Sequence, residues 1–135
     1  MTLNLIKLCV GADTVEDLID WRRSQGDPQP WVMRTRQTPK RAAELLEGGS
    51  LYRVFKGFVL CRQAILAVDT VGAGPAARCE VTLDPMIVLT TPTPRRPFQG
   101  WRYLDGKDAP GDLHGLEEGA APQELAKRLR EIGAW

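Results

Sequence analysis

The chain has 135 residues, of which 43% are hydrophobic and 26% charged, with 18 basic and 17 acidic side chains. This length predicts a single domain, since domains typically contain roughly 100–200 residues. The composition excludes collagen-like, low-complexity and disordered proteins, and no stretch has the roughly 18–20 apolar residues that a membrane span needs.

The first part of the chain is predicted to alternate strands with short helices. Asp13 and Thr14 are favourable N-cap residues, and the apolar side chains that follow them recur at helical spacing. Thr38-Pro39 is typical of a helix start and Gly48-Gly49 of a helix end. The predicted elements are strands over residues 3–10 and 31–36, a helix over 14–24, a loop over 26–30, and a second helix between Thr38-Pro39 and Gly48-Gly49.

The second part of the chain is predicted to be mostly strand. Lys56-Gly57 separates two apolar runs and predicts the turn of a β-hairpin over residues 51–70. Three prolines between Thr90 and Pro97 predict an extended surface segment without regular ladder bonds. The other predicted elements are strands over 79–84, 86–89 and 98–104, a loop or tether over 105–120, and a helix over 122–132.

These elements favour an α+β class, because strand exceeds helix and no regular strand–helix–strand alternation occurs. We expect one domain over residues 1–135, with a mixed curled sheet or a small barrel and about three short helices.

The sequence lacks the usual signatures of catalysis and of metal or cofactor binding. Cys9, Cys61 and Cys79 are odd in number and form no CxxC motif, which predicts free thiols, no metal site and a cytoplasmic protein. The single histidine, His114, lies in an acidic glycine-containing loop, and neither Ser24 nor Ser50 lies in a GxSxG motif. No cofactor and no catalytic residue is predicted, and whether the protein is an enzyme stays open.

The positive charge is concentrated in two segments of a nearly neutral chain. Residues 34–62 carry seven basic and two acidic side chains, and residues 95–102 carry three arginines and no acid. If these segments meet in the fold, they form a positive face. The alternative is that the charges are dispersed and paired with the acidic ends.

Each basic segment contains a candidate binding group. In the first, the cations flank the predicted start of the second helix, and such helix starts are favourable places for anions. In the second, forked guanidinium groups suit phosphate and aromatic faces accept unstacked bases. The candidate residues are Arg34, Arg36, Lys40 and Arg41, followed by Arg95, Arg96, Phe98, Trp101 and Arg102. The alternative is structural: the aromatic rings cap the core and the cations are solvated.

Two resemblances add expectations. Residues 39–52 and 94–104, together with residues 5–11, resemble the uncharacterised alphaproteobacterial domain-of-unknown-function family 1489, which implies no activity. A short helix that ends in glycine, a Lys-Gly hairpin and a long apolar strand are similar in order to the small curled barrels of the PUA-like group. That group includes ASCH and EVE domains, which mostly bind RNA or modified bases, and some ASCH members are enzymes. Their usual glycine-aspartate before the hairpin is Gly48-Gly49-Ser50 here.

Three functions are consistent with these patterns. The first is a module that binds RNA or single-stranded nucleic acid through the two basic segments. The second is a small-molecule enzyme or sensor with a pocket where Trp31, Tyr52 and Trp101 approach one another. The third is a protein-interaction module in which the proline-rich segment and Trp135 dock a partner. The sequence predicts no membrane association and does not indicate the ligand or the oligomeric state.

Overall fold

The computed structural model describes residues 2–24 and 31–113, which form seven strands and two helices. The strands are β1 (Leu3–Leu8), β2 (Trp31–Thr35), β3 (Ser50–Phe55), β4 (Phe58–Val71), β5 (Arg78–Leu83), β6 (Val88–Pro94) and β7 (Trp101–Asp105). The helices are α1 (Val15–Ser24) and α2 (Ala42–Leu45), with short 3-10 turns at Gly74–Ala76 and Gly106–Asp108. The predicted loop over 26–30, His114, the helix over 122–132 and Trp135 lie outside the described residues.

The seven strands form one mixed sheet in the order β2-β5-β4-β3-β1-β7, with β6 also paired to β4. Only β1 and β3 are parallel, whereas every other pair is antiparallel. A mixed sheet with few helices confirms the predicted α+β class. The strands run as an open path from β2 to β7, so the small barrel, one of the two predicted alternatives, is wrong for the described part of the chain.

The long strand β4 connects the two halves of the sheet. Its first residues pair with β3 on one side and with β6 on the other, while Ile65 to Val71 pair with β5. Strands β5 and β6 therefore follow one another along the same edge of β4, with a break at Asp84-Pro85. The buried Gln63 side chain fills this break, because its Nε2 atom donates to the Asp84 carbonyl at 3.0 Å.

Strand β6 differs from the sequence-based prediction. The segment after Thr90 was expected to lack regular ladder bonds, yet Thr93 pairs with Val59 and Pro94 with Phe58. Proline is tolerated at such a position because β6 is bordered by a full strand on one side only. The predicted strand over 98–104 is also shorter in the structure, where β7 begins at Trp101.

The sheet carries a separate apolar cluster on each face. The larger cluster joins Leu5 of β1 and Leu51 of β3 to Val15 and Leu18 of α1 and to Trp31 of β2. The smaller cluster contains Ile6, Tyr52, Val54, Val59 and Leu104. Since side chains alternate between the faces of a strand, neighbours such as Leu51 and Tyr52 belong to opposite clusters.

Candidate anion-binding surface

The two basic segments meet at β7. The backbone N–H of Arg41 donates to the Tyr103 hydroxyl at 3.1 Å, and the Arg41 guanidinium carbon lies 5.5 Å from the centre of the Tyr103 ring. The indole N–H of Trp101 donates to the Gln37 carbonyl at 3.2 Å. Residues 37–41 therefore pack against β7, and this juxtaposition was left open by the sequence.

Two cations of the first basic segment are already paired with carboxylates. Arg34 and Glu80 are register partners on β2 and β5, and their side chains are 2.9 Å apart. Arg41 makes two hydrogen bonds to Glu44, at 2.5 and 2.8 Å. These bonds raise the pKa of Arg41 and lower the pKa of Glu44. In the described part of the chain no ion pair involves Arg36 or Lys40, and both are exposed.

The start of α2 does not form the expected anion site. This helix contains only Ala42–Leu45, and Arg41 precedes it without a side-chain cap. The Arg41 guanidinium donates to Glu44, and the backbone N–H of Arg41 donates to Tyr103. A single turn whose first donor is already bonded offers little to an anion.

The second basic segment forms an open groove, which we call the arginine groove. Arg95, Arg96 and Arg102 line it, and its volume is about 550 Å³. The other described lining residues are Pro94, Pro97, Phe98 and Tyr103, so none of the described lining residues is acidic. Arg102 is held in place because its Nη1 atom donates to the carbonyls of Gln99 and Trp101, at 2.7 and 3.0 Å.

Both aromatic residues that were predicted to stack on bases have contacts within the protein. The guanidinium carbons of Arg95 and Arg102 each lie 5.6 Å from the centre of the Phe98 ring. Trp101 is partly buried and packs edge-on against Tyr103, with the ring centroids 5.0 Å apart. A base would therefore have to compete with an arginine for Phe98, and base stacking at either ring stays a prediction.

The predicted pocket among Trp31, Tyr52 and Trp101 is not formed by these side chains. Trp31 and Trp101 belong to the larger apolar cluster, whereas Tyr52 belongs to the cluster on the opposite face. The placement was wrong because alternation along β3 puts Tyr52 on the face opposite to Leu51 and Phe55, which belong to the larger cluster with Trp31 and Trp101.

Tyr52 instead lines a polar cleft of about 450 Å³ beside the segment 106–112. Across this cleft Arg62 donates to both carboxylate oxygens of Asp112, at 2.8 Å each, and to the Ser50 hydroxyl at 3.1 Å. The hydrogen bond to Asp112 raises the pKa of Arg62, and burial raises the pKa of Tyr52. Since the charged groups of the cleft satisfy one another, they fasten segment 106–112 to the sheet.

Sequence reasoning counted Arg53 as basic but did not select it as a site residue. Arg53 is only 8% exposed, and its Nε atom donates to the Gln63 side chain at 2.8 Å. Its guanidinium carbon lies 5.5 Å from the centre of the Trp31 ring. The sequence does contain a signal for this burial, because alternation places Arg53 on the same face of β3 as the apolar residues Leu51 and Phe55.

Comparison with known proteins gives a family but no activity. A family model described as "Protein of unknown function (DUF1489)" matches residues 5–135. No curated protein and no solved structure matches the chain. Within the described residues, no group of three or more histidine, cysteine or carboxylate side chains is arranged to hold a metal ion, and no helix is long and apolar enough to cross a membrane.

Proposed function

The chain belongs to the DUF1489 family of proteins of unknown function, and we propose that it binds the phosphate backbone of RNA or single-stranded nucleic acid in the arginine groove. The observation that carries this proposal is the convergence of Arg95, Arg96 and Arg102 on one open groove in which no described lining residue is acidic. Guanidinium groups donate in a forked geometry that matches phosphate oxygens.

The charges of the groove support an anionic ligand. Each ion pair formed within the described residues uses other cations, namely Arg34, Lys56, Arg41 and Arg62. Arg95 and Arg102 both contact the Phe98 ring, and Arg102 also donates to backbone carbonyls. Bound phosphates would supply the counter-charge that no described residue supplies by an ion pair.

The size of the groove favours a single strand over a duplex. Its three arginines lie within residues 95–102, so they cover only a short track on the surface. A flexible single strand brings successive phosphates to such closely spaced donors, whereas the backbone of a duplex follows a fixed path. Arg36 and Lys40 are exposed and belong to the same basic segment as Arg41, whose backbone N–H donates to Tyr103 of β7.

The test is the affinity of a short labelled single-stranded RNA, measured by fluorescence anisotropy at about 50 and about 200 mM salt. Three neutralised phosphates predict a slope of log affinity against log salt of about −2 for a single strand. The double variant R95E/R96E should bind more weakly and with a slope less steep by about 1.4.

The matched control is R23E/R78E, which has the same change in net charge. Arg78 lies on β5, four strands away from β7 in the sheet, and Arg23 is exposed at the end of α1. This control should keep most of the affinity, and thermal melting should show that both double variants are folded. Equal affinity and salt slope in R95E/R96E and in the unmodified protein would contradict the proposed site.

A further inference from the structure

Arg53 carries a charge that is buried on the apolar face of β3. The residue is 8% exposed, and Leu51 and Phe55, which share its face, are 0% and 1% exposed. The removal of a guanidinium group from water is unfavourable unless a counter-charge and hydrogen bonds replace the lost hydration. The partners of Arg53 therefore decide whether this position is complete without a ligand.

The partners that the described residues supply are neutral. Gln63 accepts one hydrogen bond from the Nε atom, at 2.8 Å, and Trp31 offers the face of its ring at 5.5 Å. No carboxylate of the described residues forms an ion pair with Arg53. A cation–π contact, one amide hydrogen bond and a hydrogen bond with the Cys9 thiol return less than the burial of the charge costs.

The nearby thiols do not supply the missing charge either. Cys61 is the register partner of Arg53 on β4, and the N–H of Cys9 donates to the carbonyl of Val54, the next residue on β3. Burial raises the pKa of Cys9, and it raises the pKa of Cys61 to about 12, although Arg53 acts in the opposite direction on both. Both thiols are therefore neutral near pH 7.

Two further cations border Arg53 or its partner Trp31. Lys7 is the register partner of Arg53 on β1, so both side chains leave the same face of the sheet from adjacent strands. Arg22 of α1 lies over the Trp31 ring at 5.1 Å. Like charges on neighbouring strand positions repel. Neither Lys7 nor Arg22 forms an ion pair within the described part of the chain.

We propose that Lys7 and Arg53 bind a small oxyanion, the phosphate or carboxylate group of a small molecule, on the inner face of the sheet between Trp31 and Trp101. Trp101 is the register partner of Lys7 on β7, so it borders the pair on the side away from Arg53. Lys7, Cys9 and Trp101 are only partly buried, and an anion reaches the pair from that end. This site is distinct from the arginine groove, because Arg53 is too deeply buried to contact a polymer backbone.

The test uses inorganic phosphate and succinate as separate probes, with chloride added to keep the ionic strength equal. Thermal unfolding of the full chain is followed with each probe. A rise in Tm with phosphate alone, with succinate alone or with both supports the site and identifies the group that it prefers. No rise with either probe at millimolar concentration would overturn the proposal.

Substitutions locate the binding. The variants R53M and K7Q should each lower the affinity for the anion at least tenfold. R78Q, which removes an exposed cation on β5, should leave this affinity unchanged. Without anion, R53M should melt at the same temperature as the unmodified protein or higher, since it removes an uncompensated charge. If R53M fails to fold, K7Q alone tests the proposal, because Lys7 is only partly buried and its substitution should not prevent folding. The same anion-dependent shift in K7Q as in the unmodified protein would contradict the proposed pair, and R95E/R96E should retain the shift.

Discussion

The backbone N–H of Arg41 donates to the Tyr103 hydroxyl across 62 residues of sequence, at 3.1 Å. Arg41 immediately precedes α2, so its N–H belongs to the donors that a helix start leaves without an intrahelical partner. Tyr103 satisfies this donor and at the same time brings the first basic segment against β7. The Tyr103 side chain thus connects two basic segments that are far apart in the sequence.

Removal of the Tyr103 hydroxyl should weaken this connection. We expect Tyr103→Phe to lower the free energy of unfolding by about 1 kcal/mol, because the Arg41 N–H loses its acceptor. Denaturant unfolding measures the loss. Tyr52→Phe is the matched control, since its hydroxyl makes no hydrogen bond to the described residues. Equal losses in the two variants would contradict the role assigned to the Arg41–Tyr103 bond.

Gly49 should not tolerate a side chain. Its N–H donates to Leu45 and its carbonyl accepts from Ile65, both at 2.9 Å, so the backbone is held from both sides. A Cβ atom at this position would come within 2.5 Å of the Leu45 carbonyl oxygen and would also press on the Leu3 carbonyl. We expect Gly49→Ala to cost about 3 kcal/mol of stability. Gly111→Ala, where a Cβ atom meets nothing within 4 Å, should cost less than about 1 kcal/mol.

The Arg62–Asp112 pair should hold segment 106–112 on the sheet. The two side chains are 25% and 43% exposed, so water screens part of their attraction. We expect Asp112→Asn to lower the free energy of unfolding by about 1 kcal/mol and to speed hydrogen exchange at the amides of Thr91 and Leu113, which bond across this junction. Glu80→Gln, which breaks a more exposed pair, should change stability by less than about 0.5 kcal/mol. Unchanged exchange at Thr91 and Leu113 in Asp112→Asn would refute the fastening role.

The buried thiol of Cys61 should make stability fall at alkaline pH. Its pKa is about 12 in the folded chain, against an ordinary value of 9.0. The unfolded chain therefore releases this proton first, and the contribution to stability, complete below pH 9.0, is lost as pH rises toward 12. The expected loss from Cys61 between about pH 8 and about pH 10 is about 1.4 kcal/mol.

Cys61→Ala isolates this contribution. The substitution lowers stability at every pH because it leaves a cavity, but its stability should fall with pH less steeply than that of the unmodified protein. The measurement is denaturant unfolding of both proteins at each pH. Parallel pH profiles would show that Cys61 does not ionise differently in the two states.

Local rules predicted much of the fold. The Thr14 hydroxyl accepts the N–H of Asp17 at 3.0 Å, as expected of a residue that caps α1. Lys56 and Gly57 both have positive φ, 47° and 89°, as a two-residue hairpin turn requires. The helix start and the hairpin turn depend on residues that are close in sequence, and both can therefore be predicted from the sequence alone.

The remaining features depend on pairing between distant residues. The partner of Arg34 is Glu80, 46 residues away, and no local pattern indicates that pair. The cross-strand neighbours of Tyr52 and Arg53 follow from the register of β3 against β1 and β4. The sequence thus placed three arginines of the candidate groove in one segment, whereas the pairing of Lys7 with the buried Arg53 became visible only in the folded sheet.

The position of β1 between β3 and β7 has a consequence for synthesis on the ribosome. β1 is translated before both of its partners, which begin at Ser50 and Trp101. The hairpin of β3 and β4 needs only contiguous residues and can close early, whereas β1 must wait for chain that is translated later. Until Trp101–Asp105 has emerged, β1 presents an open edge, so a pause in translation before β7 would expose a strand that the finished protein covers on both sides.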